Sequence, residues 1–358
     1  VSENLLYPYV LRPKVVAAIW GGDALVNEFG KPGDPNAKLG ESWECWDENA
    51  VANGPLAGKT IAQLRSQLGE DLLGNLDPAQ IFPILTKIID ARAALSVQVH
   101  PDDAYAQRVE HQPNGKTECW YVLHAHANAK LVLGWSRNTT REEYERRVAD
   151  GTLAEILREV PVQAGDAFYL PAGTLHAIGA GIIIFETQQA SDLTYRIFDW
   201  NRTDAQGKPR ELHVQKAADV LDYHECTAGA LKELGYTLGG VHQTALVCDP
   251  RFLVEQLALT AQPHRISTED RPLIFTALDR PIELECQDGG ARLDPYQTAL
   301  VPAAAGAVTV RATLDNARVM FVTPPARADA MEERLDTAGV SQEQISQFLR
   351  QFRPRVKT

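Results

Sequence analysis

The chain has 358 residues, a length that suggests about two domains at ~150 residues each, and its 44% hydrophobic and 23% charged content is ordinary for a folded globular protein. A formal net charge of −12 with no run of Lys or Arg argues against nucleic acid as a partner, and no apolar run approaches the ~18 residues of a membrane span. The five cysteines, Cys45, Cys119, Cys226, Cys248 and Cys286, are odd in number and scattered without a C-x-x-C spacing. That pattern points to a reduced, cytoplasmic compartment rather than a disulfide framework. The opening segment VSENLLYPYVLRPK shows no charged-then-apolar secretion signal. Nothing in the chain announces an oligomeric state.

In chain order, the first amphipathic helix is expected in KTIAQLRSQLGEDLLG, where Thr60 and Gln63 stand in capping-box relation and Ile61, Leu64 and Leu68 share a face. LSVQVHPDD, residues 95–103, alternates as a strand: Leu95, Val97 and Val99 on one face, Ser96, Gln98 and His100 on the other. ECWYVL follows, with Glu118, Trp120 and Val122 on one face. Capping signals recur at Thr140/Glu143, Thr152/Glu155 and Ser341/Gln344, the last opening a helix with Ile345, Phe348, Leu349 and Phe352 aligned. These helices are most simply covers for sheet faces. Residues 160–200 and again about 231–325 consist of short apolar runs punctuated by turns, without helices between them. That texture predicts an all-β-dominated chain of two barrels or sandwiches with a few covering α-helices. The expected domains are 1–228, carrying the chemistry, 229–326, a degenerate second barrel, and 327–358, a C-terminal helical segment.

Gln98 and His100 are two apart on a strand, Glu118 begins a strand, and His176 ends GDAFYLPAGTLH, whose Gly165, Pro171 and Gly173 mark turns. Two imidazoles, a carboxylate and an amide suit zinc, with manganese, iron or cobalt left open. A histidine on a strand is more often an ordinary hydrogen-bonded residue, so spacing alone does not select this set. His124 and His126 in HAHANAK read as a hairpin loop, His111 as a loop residue, and His213 as a residue without a partner. ETQQASDLTYRIFDWNR gathers Glu186, Asp192, Arg196, Asp199 and Arg202. Arg196, among aromatics, either pairs with Asp192 or Asp199 or is presented to a substrate oxygen or phosphate.

Together these segments resemble the type I mannose-6-phosphate isomerases of the cupin superfamily, in their compact bacterial form. The matching stretches are WGG at 20–22, GESWE at 40–44, LSVQVHPDD at 95–103, GKTECWYVL at 115–123 and LPAGTLHAIGAGIIIFETQQASDLTYRIFDW at 170–200. The resemblance implies two cupin or jelly-roll barrels and one zinc ion per chain, held by Gln98, His100, Glu118 and His176. It implies catalytic roles for Arg196, Lys116 and Glu186, and places Asp192 and Arg202 in the pocket with Ser96 and Lys87 near a substrate phosphate. Where the larger relatives carry Lys and Tyr, this chain has Arg202 and Ile178. The reaction so implied interconverts mannose 6-phosphate and fructose 6-phosphate through a cis-enediol, with the proton-transferring group left open among Lys116, Glu186 and a water.

Three rivals share the pocket: a sister isomerase for another aldose, a non-catalytic sugar-binding cupin, and a redox-metal oxygenase. The complete ligand set argues against the binder, and SDLTYRIFDW against the oxygenase. In the second barrel, YQTALVPAAAGAVTV reads as a degenerate copy of GDAFYLPAGTLH in which Ala, Val and Thr stand where His176 would recur. His242 and His264 fall in turn-like settings there, so that barrel is expected to hold no metal.

Overall fold

The computed structural model describes residues 4–203, 207–324 and 329–352. Its strands, in chain order, are β1 (Tyr9–Val10), β2 (Lys14–Gly22), β3 (Leu39–Cys45), β4 (Ile84–Ala91), β5 (Val97–Val99), β6 (Glu118–Ala125), β7 (Lys130–Trp135), β8 (Leu157–Pro161), β9 (Ala167–Leu170), β10 (His176–Ile178), β11 (Ile182–Gln189) and β12 (Tyr195–Phe198). After residue 230 come β13 (Leu234–Leu238), β14 (Val241–Asp249), β15 (Phe252–Leu259), β16 (His264–Ser267), β17 (Leu273–Ala277), β18 (Ile282–Cys286), β19 (Gly289–Leu293), β20 (Thr298–Val301), β21 (Ala307–Ala312) and β22 (Ala317–Thr323). The architecture is the strand-dominated one expected, with pairs of packed sheets forming cupin-type barrels.

The chain divides into two compact units, one of residues 15–42 and 87–230, the other of residues 1–14, 43–86 and 231–358. The contiguous limits read from the sequence, 1–228 and 229–326, cut the chain differently. The physical reason is long-range pairing: Tyr9 and Val10 of β1 pair with Leu300 and Ala299 of β20, which no local pattern announces. The limit expected at 326–327 lies outside the described residues.

In the unit of residues 15–42 and 87–230, a six-stranded sheet runs β2-β3-β4-β11-β6-β9, its β3 and β4 reaching past the unit's limits at 42 and 87, and a five-stranded sheet runs β12-β5-β10-β7-β8. Their facing sides meet in one apolar cluster, including Trp120, Val122, Ile182 and Ile184 from the first sheet and Leu131, Leu133 and Ile178 from the second. The back of the five-stranded sheet is covered by helices. Val97, Val99, Tyr195 and Ile197 pack there with Tyr144 of helix Arg141–Ala149 and Ala217 and Ala218 of helix Val214–Val220. Val97 and Val99 therefore face outward, leaving Gln98 to face the barrel interior. Leu95, expected beside them, instead packs in the interior cluster, because the ladder begins only at Val97.

The strand also ends sooner than expected. Pro101 has no N–H to donate, and the Asp102 carboxylate accepts from Tyr105 N at 2.8 Å to start the helical turn Asp103–Tyr105. His100 thus stands just past the strand. The capping boxes at Thr60/Gln63 and Ser341/Gln344 both form. At Thr140 only half the box is made, since the Glu143 carboxylate goes to Arg137 and Arg147. At Thr152 there is no side-chain cap, and the segment is a short 3-10 helix, Leu153–Ile156.

The other unit has a seven-stranded sheet, β1-β20-β17-β22-β15-β14-β13, and a four-stranded sheet, β16-β21-β18-β19. Between them lies an apolar core that includes Phe275, Phe321, Leu284, Val308 and Val310. After β20, Pro302 and Gly306 (φ +67°) repeat the turn logic of Pro171 and Gly173 (φ +86°), but the following strand buries Val308 and Val310. His242 and His264 are not in turns: they lie on β14 and β16. All five cysteines are free. No helix among the described residues is long and apolar enough to cross a membrane.

Candidate active site and metal centre

Strand register builds the site. On the five-stranded sheet Arg196 pairs with Gln98, and Gln98 with His176. Directly opposed residues of antiparallel strands project to one side, so these three form a row into the barrel. From the facing sheet, Glu118 pairs with Gln188 and Trp120 with Glu186. The result is a convergence of His100 Nε2 and Glu118 Oε1 at 3.2 Å, and of His176 Nε2 and Glu118 Oε2 at 3.8 Å. Gln98 Nε2 lies 3.3 Å from His176 Nε2. His100, Glu118 and His176 are each at most 2% exposed.

The outer nitrogens of both imidazoles are committed. His100 Nδ1 lies 2.8 Å from Leu193 O, and His176 Nδ1 lies 2.8 Å from Thr174 O. A carbonyl can only accept, so each Nδ1 carries the proton and each Nε2 presents a lone pair inward. Burial, aided by the Lys116 ammonium, pushes His100 down to about 3 and lowers His176 too, so both rings are neutral. Burial by itself would raise Glu118, but the Lys116 ammonium outweighs it and holds the carboxyl well below the usual range. Among the described residues His100 Nε2 has no hydrogen-bond partner although fully enclosed, and enclosed Glu118 Oε1 has the Lys116 ammonium beside it. Two inward lone pairs and an ionised carboxylate, within 4.8 Å of one another, fit a divalent cation. Tetrahedral zinc with bonds near 2.0–2.1 Å sets its ligands about 3.3 Å apart, close to the His100–Glu118 spacing. Among the described residues this is the only such His/Cys/Asp/Glu group.

Around it runs a chain of alternating charge. Lys116 Nζ lies 3.1 Å from Glu118 Oε1, and Lys87 Nζ lies 3.3 Å from Glu41 and 3.4 Å from Glu186 Oε1. The Trp120 indole N–H donates to both Glu118 Oε2 (3.1 Å) and Glu186 Oε2 (2.8 Å). Burial and the Glu118 charge push Glu186 up to about 7 against the pull of Lys87 and Lys116. Desolvation opposes the charge on Lys87, but Glu41 and Glu186 raise its pKa and keep it charged. The Lys116 backbone is set by Gly115, where a Cβ would stand 2.5 Å from Pro101 O. Asp103 accepts from Gly115 N and from Gln189 Nε2, both at 2.8 Å, which accounts for the second Asp of the HPDD stretch.

Arg196 does not pair with Asp192 or Asp199. Its Nη1 donates to Glu211 O at 3.0 Å, and its buried Nε has no hydrogen-bond partner among the described residues. Asp199 instead takes Arg202 and Arg210. Arg202 also donates to Ala94 O at 2.6 Å, and Trp200 Nε1 to Leu95 O at 2.7 Å, fastening the segment that leads to buried Ser96. Asp192 is exposed between β11 and β12 and makes no side-chain hydrogen bond or ion pair among the described residues. Lys87, expected near a phosphate, sits between two carboxylates. Glu41, Trp120 and Arg210 were missed as contributors. Trp120 and Glu41 were within reach, the first by its two-residue offset from Glu118, the second inside GESWE. His213, dismissed from sequence, accepts from Arg196 N at 3.1 Å through Nδ1 and so braces that strand.

A model of the type I phosphomannose isomerase catalytic domain matches residues 9–130. The mannose-6-phosphate isomerase of Streptococcus mutans is 42% identical over 252 residues, which are 69% of this chain and 77% of that protein. The crystal structure of the mannose 6-phosphate isomerase from Bacillus subtilis superposes with a TM-score of 0.80 at 31% identity, covering 88% of this chain and 99% of that one. A zinc-bound mannose 6-phosphate isomerase, 14% identical, shares the fold with a TM-score of 0.70 over 89% of this chain and 100% of that one. With its metal-binding geometry set in a barrel of the same build, the chain belongs to the type I phosphomannose isomerase family.

Proposed function

We propose that the protein is a zinc-dependent isomerase that interconverts mannose 6-phosphate and fructose 6-phosphate. The observation that carries this reading is the enclosed convergence of His100, Glu118 and His176, with the His100 Nε2 lone pair aimed inward and without a hydrogen-bond partner among the described residues, in a chain of this family. Gln98, His100, Glu118 and His176 would hold the ion, Gln98 through its amide oxygen after its side chain turns from His176. When bound, zinc supplies a Lewis acid for the oxygens of the two reacting carbons.

The residues of the chain do the rest. Aldose and ketose differ by one proton moved between neighbouring carbons through a cis-enediol. We assign that transfer to Glu186, supported by its carboxyl being pushed up to about 7 and by Oε2 being fixed by Trp120 while Oε1 faces only the Lys87 ammonium at 3.4 Å. Lys87, held by Glu41, keeps that carboxylate oriented. Lys116 and Arg196 bring positive charge to the oxygen on which charge develops, Arg196 from the strand row that also carries Gln98 and His176. Ser96, Asp192, Arg202 and Lys87 are the candidates for the rest of the sugar phosphate. A coupled assay with mannose 6-phosphate against a panel of aldoses and aldose phosphates tests the reading. A preference for another aldose would replace the substrate and leave the metal chemistry intact.

A further inference from the structure

Beside the strand row that leads to the metal centre, three arginines meet one carboxylate. Asp199 is 5% exposed and is the only carboxylate paired with Arg202 or Arg210 among the described residues. Arg210 takes it as a fork, Nε donating to Oδ2 at 2.7 Å and Nη2 to Oδ1. Arg202 is held differently. Trp200 (φ +55°) and Asn201 (φ +54°) make a tight reversal that Arg202 N closes on Asp199 O at 3.0 Å. Its guanidinium then donates to two backbone carbonyls, Asp199 O at 3.2 Å and Ala94 O at 2.6 Å, and only Nη2 goes to the carboxylate. The two carbonyl bonds do not depend on the charge of Asp199, so the backbone sets Arg202 in place near the segment that leads to Ser96. Three of its five N–H groups are used, and the side chain stays partly exposed.

Arg196 feels the same group: burial first, and then the Arg210 charge, lower its pKa, while Asp199 works the other way. Three positive charges thus face one negative charge, in a chain whose formal net charge is −12. Arg202 alone would suffice to neutralise Asp199. The second arginine, engaged with both carboxylate oxygens, is surplus to that need. Without it, Asp199 would cancel the charge of Arg202 and turn a bare oxygen toward any incoming anion.

Resting on the sugar-phosphate reading above, we propose that Arg210 is a positioning residue: its fork occupies the Asp199 carboxylate, so that the charge of Arg202 stays available to the phosphate of the substrate. Arg210 acts through Asp199 and not on the substrate.

The test measures kcat and KM on mannose 6-phosphate, kcat/KM on unphosphorylated mannose, and zinc content, for wild type, Arg210→Gln, Asp199→Asn and the double variant. Arg210→Gln should keep its zinc and its kcat and raise KM for mannose 6-phosphate by about 10- to 100-fold, the range for a hydrogen bond to a charged group, with mannose little affected. Asp199→Asn alone should leave that KM at or below the wild-type value. The double variant should recover most of the lost affinity, because no carboxylate remains to cancel Arg202. Arg210→Lys keeps a charge without the fork; it should show a smaller rise, likewise reversed by Asp199→Asn, and it carries the test where Arg210→Gln does not fold. A double variant as weak as Arg210→Gln would overturn the proposal and make Arg210 a phosphate contact itself. A loss shared equally by both sugars, or a fall in kcat that tracks departing zinc, would overturn it too and leave Arg210 as a structural brace. A wild type that does not favour mannose 6-phosphate over mannose would sink the sugar-phosphate reading, and the proposal with it.

Discussion

Replacing Trp120 by Phe removes one N–H and tests whether the charged chain around the metal centre is organised as described. The indole N–H is shared between Glu118 Oε2 at 3.1 Å and Glu186 Oε2 at 2.8 Å, and the ring, 1% exposed, meets the His176 ring edge-on at 5.3 Å. Phe keeps an aromatic edge against His176 but leaves two buried carboxylate oxygens without that donor. A hydrogen bond to a charged group contributes ~1.5–3 kcal/mol. One N–H serving two acceptors counts nearer to one bond than two, and the lost ring atoms add about 1 kcal/mol. The variant should therefore be less stable by roughly 2–4 kcal/mol, a fall in Tm of about 4–16 °C in calorimetry. Loss of a group that orients a ligating carboxylate should also weaken zinc binding ~10- to 100-fold, measured by competition with a chromophoric chelator. A lower Tm with unchanged zinc affinity would show that Trp120 only packs. Wild-type values for both would refute the bridging role outright.

Removal of the metal by chelation should abolish turnover and added zinc restore it, and His176→Ala should lose metal and activity together; full activity after verified metal removal contradicts the metal centre. Arg196→Ala should keep its zinc but lower kcat by ~100-fold or more, with Lys no remedy because the planar fork is gone. A near-normal kcat with raised KM would instead mark Arg196 as a ground-state contact. Lys87→Ala should weaken a phosphorylated sugar far more than its unphosphorylated counterpart if Lys87 reaches the phosphate; equal losses would confine it to holding Glu186. Burial works to raise Asp199, but hydrogen bonds from Arg210 and Arg202 prevail and lower its pKa. Its stabilisation is thus fully present above the ordinary Asp value of about 3.9 and is lost as pH falls through the lower folded value. Asp199→Asn should lower Tm at neutral pH, and the gap to wild type should close as pH falls below the ordinary Asp value and through the lower folded one; a gap independent of pH would exclude the ion-pair explanation.

Much of the site was legible in the sequence because it depends on rules that act within a few residues. The two-residue period put Gln98 on the interior side and Val97 and Val99 on the other. Pro101 and Asp102 announced the end of β5, although the ladder proved shorter than the alternation and left Leu95 and His100 outside it. Capping signals located the helices at Ile61–Leu68 and Gln342–Leu349. The resemblance to a known family supplied the grouping of His100, Glu118 and His176, which spacing by itself had not selected.

The tertiary structure decided what depends on groups far apart in the chain. It joined β1 to β20 and so gave the N-terminal residues to the C-terminal unit. It paired Asp199 with Arg202 and Arg210, leaving Arg196 without a carboxylate. It set Lys87 between Glu41 and Glu186, and closed the Trp120 bridge between two carboxylates. Such partnerships follow from which strands lie side by side, and strand order is fixed by burying complementary apolar faces across the whole fold, whereas alternation, turns and caps are fixed by backbone sterics and hydrogen bonds between near neighbours. A local pattern can therefore say which way a side chain of this protein points, and only the assembled barrel says what it meets there.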